Sequence, residues 1–134
     1  MMKTSKRTVD AVFVKLLFHK KMDRGMVLIE HESRCVIKGE IHEIVTTDQS
    51  RAMPRERIDR VGFLGFAEIS NGGVVERGDE VMLGPILVGK VLGFDDCHFP
   101  NHYNILIGTD KLLSASDLSL QIQQKLEFRS KAGK

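Results

Sequence analysis

Apolar residues recur at a period of two in short runs along most of this chain. In "TVDAVFVKLLFHK", Val12, Val14, Leu16 and Phe18 share one face, and Val9, Ala11, Phe13 and Leu17 share the other, broken by Lys15. β-Branched and aromatic residues dominate this run, which predicts a strand buried on both sides. "KKMDRGM" reads as a turn centred on Asp23-Arg24-Gly25, "MVLIEHE" as a short second strand, and "SRC" as another turn. In "CVIKGEIHEIVTT", Cys35, Ile37, Gly39 and Ile41 align on one face. The register shifts at Ile44, as a bulge near His42 and Glu43 would cause. Three strands joined by tight turns are expected to form a meander.

"TDQSRAMPRERIDR" is the longest polar segment, a loop or short helical turn, and loops of that length are commonly functional. "VGFLGFAEIS" follows as a strand in which Gly62 and Gly65 mark a bend or a close backbone approach. "NGG" turns the chain. "VVERGDEVMLGPILVGKVLGF" holds strands parted at Gly84-Pro85, and "YNILIG" is a further strand. "SASDLSLQIQQKLEFR" fits two patterns. Leu118, Leu120 and Ile122 suit a strand, whereas Leu118, Ile122 and Leu126 suit a helix with Ser116 as N-cap. The reading adopted is a short turn, then a strand. The fold class is all-β: a small, mostly antiparallel β-barrel of about six to eight short strands with at most one short helix. The glycines inside strands favour a barrel, where the sheet must bend sharply.

The chain has 134 residues, which fits one domain, expected over 1–130 with a polar tail at 131–134. A net charge of +2 is too small to argue for nucleic acid by itself. The N-terminal run resembles a signal peptide in outline, but Asp10 and Lys15 interrupt it and no small-x-small cleavage site follows. No stretch approaches the ~20 apolar residues a membrane span needs. The two cysteines, Cys35 and Cys97, lack metal-site spacing and read as free thiols in a reducing cytoplasm of bacterial type.

From Val74 to Leu118, the elements "VVERGDEVML", "VGKVLGF", "YNILI" and "SASDL" resemble the second-domain barrel of translation elongation factors. The G-D-x-V of that family corresponds to Gly78, Asp79 and Val81. Gly78 can take positive φ, and Asp79 can bond its own turn backbone. The resemblance implies a barrel and, as a functional alternative, an RNA-contacting one. No GxxxxGK(S/T) phosphate loop occurs, so it implies no GTPase.

The densest candidate chemistry is "GFDDCHFPNHYNILI", with Asp95, Asp96, Cys97, His98 and His102. Thiolate, imidazole and carboxylate are the usual ligands of zinc and similar ions, so a transition metal such as zinc is the candidate cofactor, set against the leading reading of a solvated polar turn. Pro100 disfavours a helix at Phe99. On a straight strand the two histidines would stand roughly 13 Å apart, too far to share an ion. Pro100 also excludes the tightest hairpin turns, leaving a wider type I loop at Phe99-Pro100-Asn101-His102. A third ligand must then come from Cys97, an aspartate or another strand, with His42 and His31 as examples.

Arg51, Arg55, Arg57 and Arg60 form a second candidate, for phosphate or carboxylate binding. Glu56 and Asp59 are interleaved, so i,i+4 pairing on a helical turn is the competing reading. Lys3, Lys6, Arg7, Lys20 and Lys21 could touch nucleic acid, but Tyr103 is the only tyrosine and there is no tryptophan for base stacking. A Cys97–His98 thiolate–imidazolium pair requires loop geometry, because strand neighbours point to opposite faces. Apolar "VGFLGFA" and "VMLGPILVG" exceed what a small barrel interior holds, which suggests a homo-oligomer interface unless loops cover them. The leading expectation is a binding or assembly module with its ligand surface near residues 95–103 and neither a membrane nor a nucleic-acid partner. A metal-binding protein or metal-dependent enzyme is the alternative.

Overall fold

The computed structural model describes residues 6–99 and 101–130. Twelve strands occur among them: β1 (Val9–Leu16), β2 (Lys20–Lys21), β3 (Met26–Val27), β4 (Ser33–Val36), β5 (Ile41–Thr47), β6 (Arg57–Ile58), β7 (Val61–Ile69), β8 (Gly73–Glu76), β9 (Glu80–Leu83), β10 (Ile86–Asp95), β11 (Asn104–Gly108) and β12 (Lys125–Arg129). No helix occurs among the described residues, so none there is long and apolar enough to cross a membrane.

Seven of these strands close a ring in the order β1-β12-β9-β10-β11-β5-β7, with β7 returning to pair with β1. Closure leaves no long free edge on those strands, which makes this a β-barrel. Every pairing in the ring is antiparallel except β5 with β11. That parallel pair sets Glu43 beside Asn104 and Ile44 beside Ile105.

Period-two alternation explains how a barrel this small buries so much apolar surface. One set of side chains, including Phe13, Ile44, Leu64, Val91, Phe94, Ile105 and Phe128, forms the larger core. Their strand neighbours Val45, Phe63, Leu92 and Leu106 face the other way and pack with Met26, Leu28, Ala52 and Ile58 in a second core. Thus "VGFLGFA" is covered from within the chain, apart from the half-buried Phe66. Of "VMLGPILVG", Ile86 and Leu87 at the β9–β10 hairpin do stay exposed.

Neighbouring backbone comes very close to β7 at two glycines. Gly65 has φ +143°, and a Cβ there would overlap the Lys15 carbonyl oxygen across the β1–β7 seam; at Gly62 it would overlap Leu113 backbone. Close approach is therefore the reason for both glycines, as expected from the pattern. The register of β5 against β7 does shift after Ile44, but the extra residue is Leu64 of β7 and not a residue of β5: Ile44 faces Gly65 and Val45 faces Phe63.

Three local expectations are corrected. No meander forms, because β3 pairs with β6, β4 with β8, and β5 with β7 and β11. Met26 and Leu28 reach the second core only if this segment lies against residues distant in sequence, and Leu28 and Ile29 donate to Glu56 and Phe94 carbonyls. "SRC" is not a turn but part of β4; the chain turns instead at Gly39, with φ +94°. "SASDLSLQIQQKLEFR" does run as turns followed by a strand, yet β12 begins only at Lys125, past Leu118, Leu120 and Ile122. The turn at Gly78, φ +93°, behaves as expected: the buried Asp79 carboxylate accepts from the Glu76 amide at 2.9 Å and pairs with Lys6. Lys3 and the tail at 131–134 lie outside the described residues.

Candidate metal centre

The hairpin that joins β10 to β11 carries the candidate ligands, and Asp95 ties off its base. Its buried carboxylate accepts from the Cys97 amide at 3.0 Å, the Asn104 side-chain amide at 3.0 Å and the Val27 amide at 2.8 Å. Burial alone would raise this carboxyl, but bonds from Cys97, Val27 and Asn104 outweigh it and hold the group below its usual 3.8. Asp95 is therefore a structural acceptor with its lone pairs committed, and the structure does not support it as a ligand.

A carboxyl lowered on folding stabilises the fold above its unfolded value, and that contribution fades as pH falls through it. Asp95→Asn is accordingly expected to lose about 2 kcal/mol at neutral pH, the scale of hydrogen bonds to a charged acceptor. The gap to wild type narrows as pH falls below about 4, where the unfolded chain protonates first, and closes once pH has passed the lowered native value. Urea unfolding of both proteins between neutral and acidic pH checks this, and a gap that stays constant across the range refutes it.

Within the hairpin, Phe99 donates to the Asp96 carbonyl at 3.0 Å, and Asn101 and His102 donate to the His98 carbonyl at 2.9 and 3.4 Å. These bonds curl the loop so that the His98 and His102 rings lie with centroids 5.0 Å apart and planes 33° apart. The convergence expected of a wide turn is present; Pro100 itself lies outside the described residues. The Phe66 ring meets His102 edge-on at 5.3 Å, fixing its orientation.

β5 supplies the third group. Tyr103 is held from both sides: its amide donates to His42 Nδ1 at 3.0 Å, and its carbonyl accepts from the Glu43 amide at 3.1 Å. That clamp sets the buried Glu43 carboxylate 3.7 Å from His102 Nε2. One ligand atom each from Glu43, His98 and His102 lies within 4.8 Å of the others. Tetrahedral bonds of 2.0–2.1 Å place ligand atoms about 3.4 Å apart, so the trio needs only a small contraction to hold an ion.

Two groups in this trio are costly as they stand. His102 Nε2 is buried with no hydrogen-bond partner among the described residues. Burial raises the Glu43 carboxyl, with the charges of His98 and Arg24 opposing the rise and Asp95 adding to it. Burial also lowers the His102 imidazole, helped by His98 and His42. His102 is thereby kept neutral, the form that ligates metals.

The remaining predicted ligands fall outside the trio. Asp96 is exposed. Partial desolvation and the neighbouring Asp95 push the Cys97 thiol up, so it stays protonated at neutral pH and is no nucleophile. Its sulfur accepts instead from Asn104 at 3.4 Å and Arg24 at 3.7 Å. His42 is committed to Tyr103 and, at 3.2 Å, to Glu40; His31 is exposed. Sequence reasoning misses Glu43 and Arg24. The signal for Glu43 is a carboxylate inside an alternating apolar strand, at the predicted bulge.

The arginine segment does not build an anion site. Arg55 pairs with Glu30, Arg57 with Asp59 at 2.7 Å and Arg60 with Asp48 at 2.9 Å, which divides the guanidiniums among separate carboxylates. Nor are these i,i+4 pairs on a helical turn. Arg55 has φ +77°, and the segment is an ordered loop pinned by buried Ala52 and Ile58. Arg51 is exposed and enters none of these pairs. In the other basic cluster, Lys6 pairs with Asp79 and Glu76, and Lys20 with Asp117 at 3.0 Å.

The family model of DUF6917, a family of unknown function, matches residues 3–129, which include every strand of the barrel. The chain belongs to that family. No curated protein and no solved structure matches it. The hairpin, β5 and Arg24 all fall within the matched span, so the trio belongs to the family's own domain and not to an appendage.

Proposed function

We propose that this barrel is a metal-binding protein whose ion, a divalent transition metal of the zinc or iron(II) class, is held by Glu43, His98 and His102. The observation that carries this is the buried, unpartnered His102 Nε2 facing the buried Glu43 carboxylate at 3.7 Å. Buried polar atoms without partners are rare, and an ion between these two would satisfy both at once. Two imidazoles and one carboxylate leave coordination positions open, as in sites that bind a further ligand. The ligand surface near residues 95–103 is thus the metal-bearing hairpin, completed by β5. Cys35 and Cys97 are free and exposed, which supports a reducing cytoplasm.

Metal analysis of protein purified without a histidine tag tests the reading. Equimolar transition metal is expected in wild type and none in the His98→Ala, His102→Ala double variant. A wild-type protein that stays metal-free after incubation with zinc and with iron(II) sinks it.

A second reading, self-association, draws on Ile86 and Leu87, which are 57% and 51% exposed side by side in β10. Sedimentation is expected to show an oligomer that dissociates in Ile86→Ser, Leu87→Ser. A monomer at high concentration removes the idea.

A further inference from the structure

Arg24 stands beside the trio without a carboxylate partner among the described residues. Its backbone amide donates to the Asp59 carbonyl at 2.9 Å, which anchors the residue at the start of the turn before β3. Its side chain is half-buried, and Nη2 lies 3.4 Å from His98 Nε2 and 3.7 Å from Cys97 Sγ. Arg55, Arg57, Arg60 and Arg129 each have a carboxylate partner, whereas Arg24, like Arg34, Arg51 and Arg77, has none among the described residues. The guanidinium therefore rests on an imidazole nitrogen and a sulfur, with no carboxylate beside it to neutralise a permanent cation.

That contact is incompatible with metal on His98. An Nε2 that accepts from Arg24 has its lone pair occupied, so that nitrogen is not free to ligate while the guanidinium rests on it. If the ion takes Nε2, it displaces the guanidinium. If it takes Nδ1, the Nε2 proton then faces a second donor. Either way, loading releases Arg24 next to a dication that Glu43 only half neutralises. Two adjacent cations of this kind are held together by an anion between them.

Resting on the metal reading above, we infer that the loaded site takes a small oxyanion, a carboxylate or a phosphate, with one oxygen on the ion's open position and another accepting from Arg24. Arg24 has the fork of donors that such ligands match, and it is already anchored at the site's rim. In the metal-free protein the same side chain lies across His98 and competes with the metal for that ring.

Cobalt(II) in place of the native ion makes both steps visible. The full chain is loaded with cobalt(II), and its visible absorption is followed during titration with sodium acetate and, separately, inorganic phosphate. One of these anions is expected to shift the bands in wild type, and the tighter of the two identifies the ligand class. In Arg24→Gln, cobalt uptake is expected to be equal or tighter, whereas the anion binds at least about tenfold more weakly, the scale of one charge-assisted contact. Arg24→Lys, which keeps the charge, recovers part of the loss. Equal anion affinity in wild type and Arg24→Gln overturns the inference, as does a wild-type site that answers to neither anion. A wild-type chain that takes up no cobalt overturns the metal reading first, and this one with it.

Discussion

Glu43→Gln is expected to weaken zinc binding by more than about a hundredfold while making the metal-free protein more stable. The two signs have one cause. Glu43 lies on β5 between Phe66 of β7 and Asn104 of β11, and its residue is only 6% exposed. No hydrogen bond to its carboxylate is formed among the described residues, and the imidazole of His102, which burial keeps neutral, stands 3.7 Å away. An ionised carboxylate in such a place is penalised by desolvation, and glutamine keeps its shape without its charge. The metal-free variant should gain about 1 kcal/mol in urea unfolding, the size of a modest relieved desolvation penalty. Zinc, however, loses an anionic ligand. Groups that only support a ligand already contribute ten- to a hundredfold to affinity, so losing a ligand costs more. Competition with a chromophoric chelator measures the affinity. A variant that binds zinc like wild type, or that is less stable without metal, removes Glu43 from the site.

Gly65→Ala is expected to destabilise the barrel by about 3 kcal/mol or more, enough to threaten folding of a domain this size. Gly65 pairs with Leu16 at the seam where β7 returns to β1 and the ring closes. Its φ of +143° is strained for any side chain, and the added Cβ would overlap the Lys15 carbonyl oxygen and sit 3.0 Å from Leu16 Cα. Both obstacles are backbone, so no rotamer change relieves them, and the strands must separate. Gly84→Ala is the control. That glycine also has positive φ, +59°, but nothing lies within 4 Å of the added Cβ. Its cost should be about 1 kcal/mol, that of the left-handed conformation alone. Urea unfolding of the two variants side by side separates them. Equal losses would mean that the close approach at the β1–β7 seam is not what demands glycine at Gly65.

Strands with long period-two runs are legible in the amino-acid pattern itself. β1, β7, β10 and β11 each carry enough alternating apolar residues to announce themselves, and the glycines in "VGFLGFAEIS" mark where neighbouring backbone approaches closely. The short strands are not legible, because β3, β4, β6 and β8 span two to four residues each and take partners far along the chain. No local pattern encodes such partners; they follow from which apolar residues the two cores accept. The candidate site divides in the same way. His98 and His102 sit four positions apart around a proline, so their dependence on a turn follows from backbone geometry. Glu43 reaches them only because β5 and β11 pair in parallel, and Arg24 reaches His98 across a separation of 74 residues.

Residues 95–104 illustrate where local information ends. Their composition and the proline between the histidines establish that this stretch could act only as a folded-back loop. Composition also makes five side chains look equivalent as ligands, since a carboxylate, a thiol and an imidazole are all competent in isolation. Partners distinguish them. Asp95 commits its lone pairs to three donors, Cys97 stays a neutral thiol under Asp95, and His102 is left with a buried nitrogen that has no partner among the described residues. Alternation and turn chemistry act over a few residues, so they specify an all-β chain and a loop that brings two imidazoles together. Hydrogen-bond satisfaction and burial depend on everything packed around a group, so closure of the ring is needed to choose Glu43 as the third member of the trio and to set Arg24 beside it.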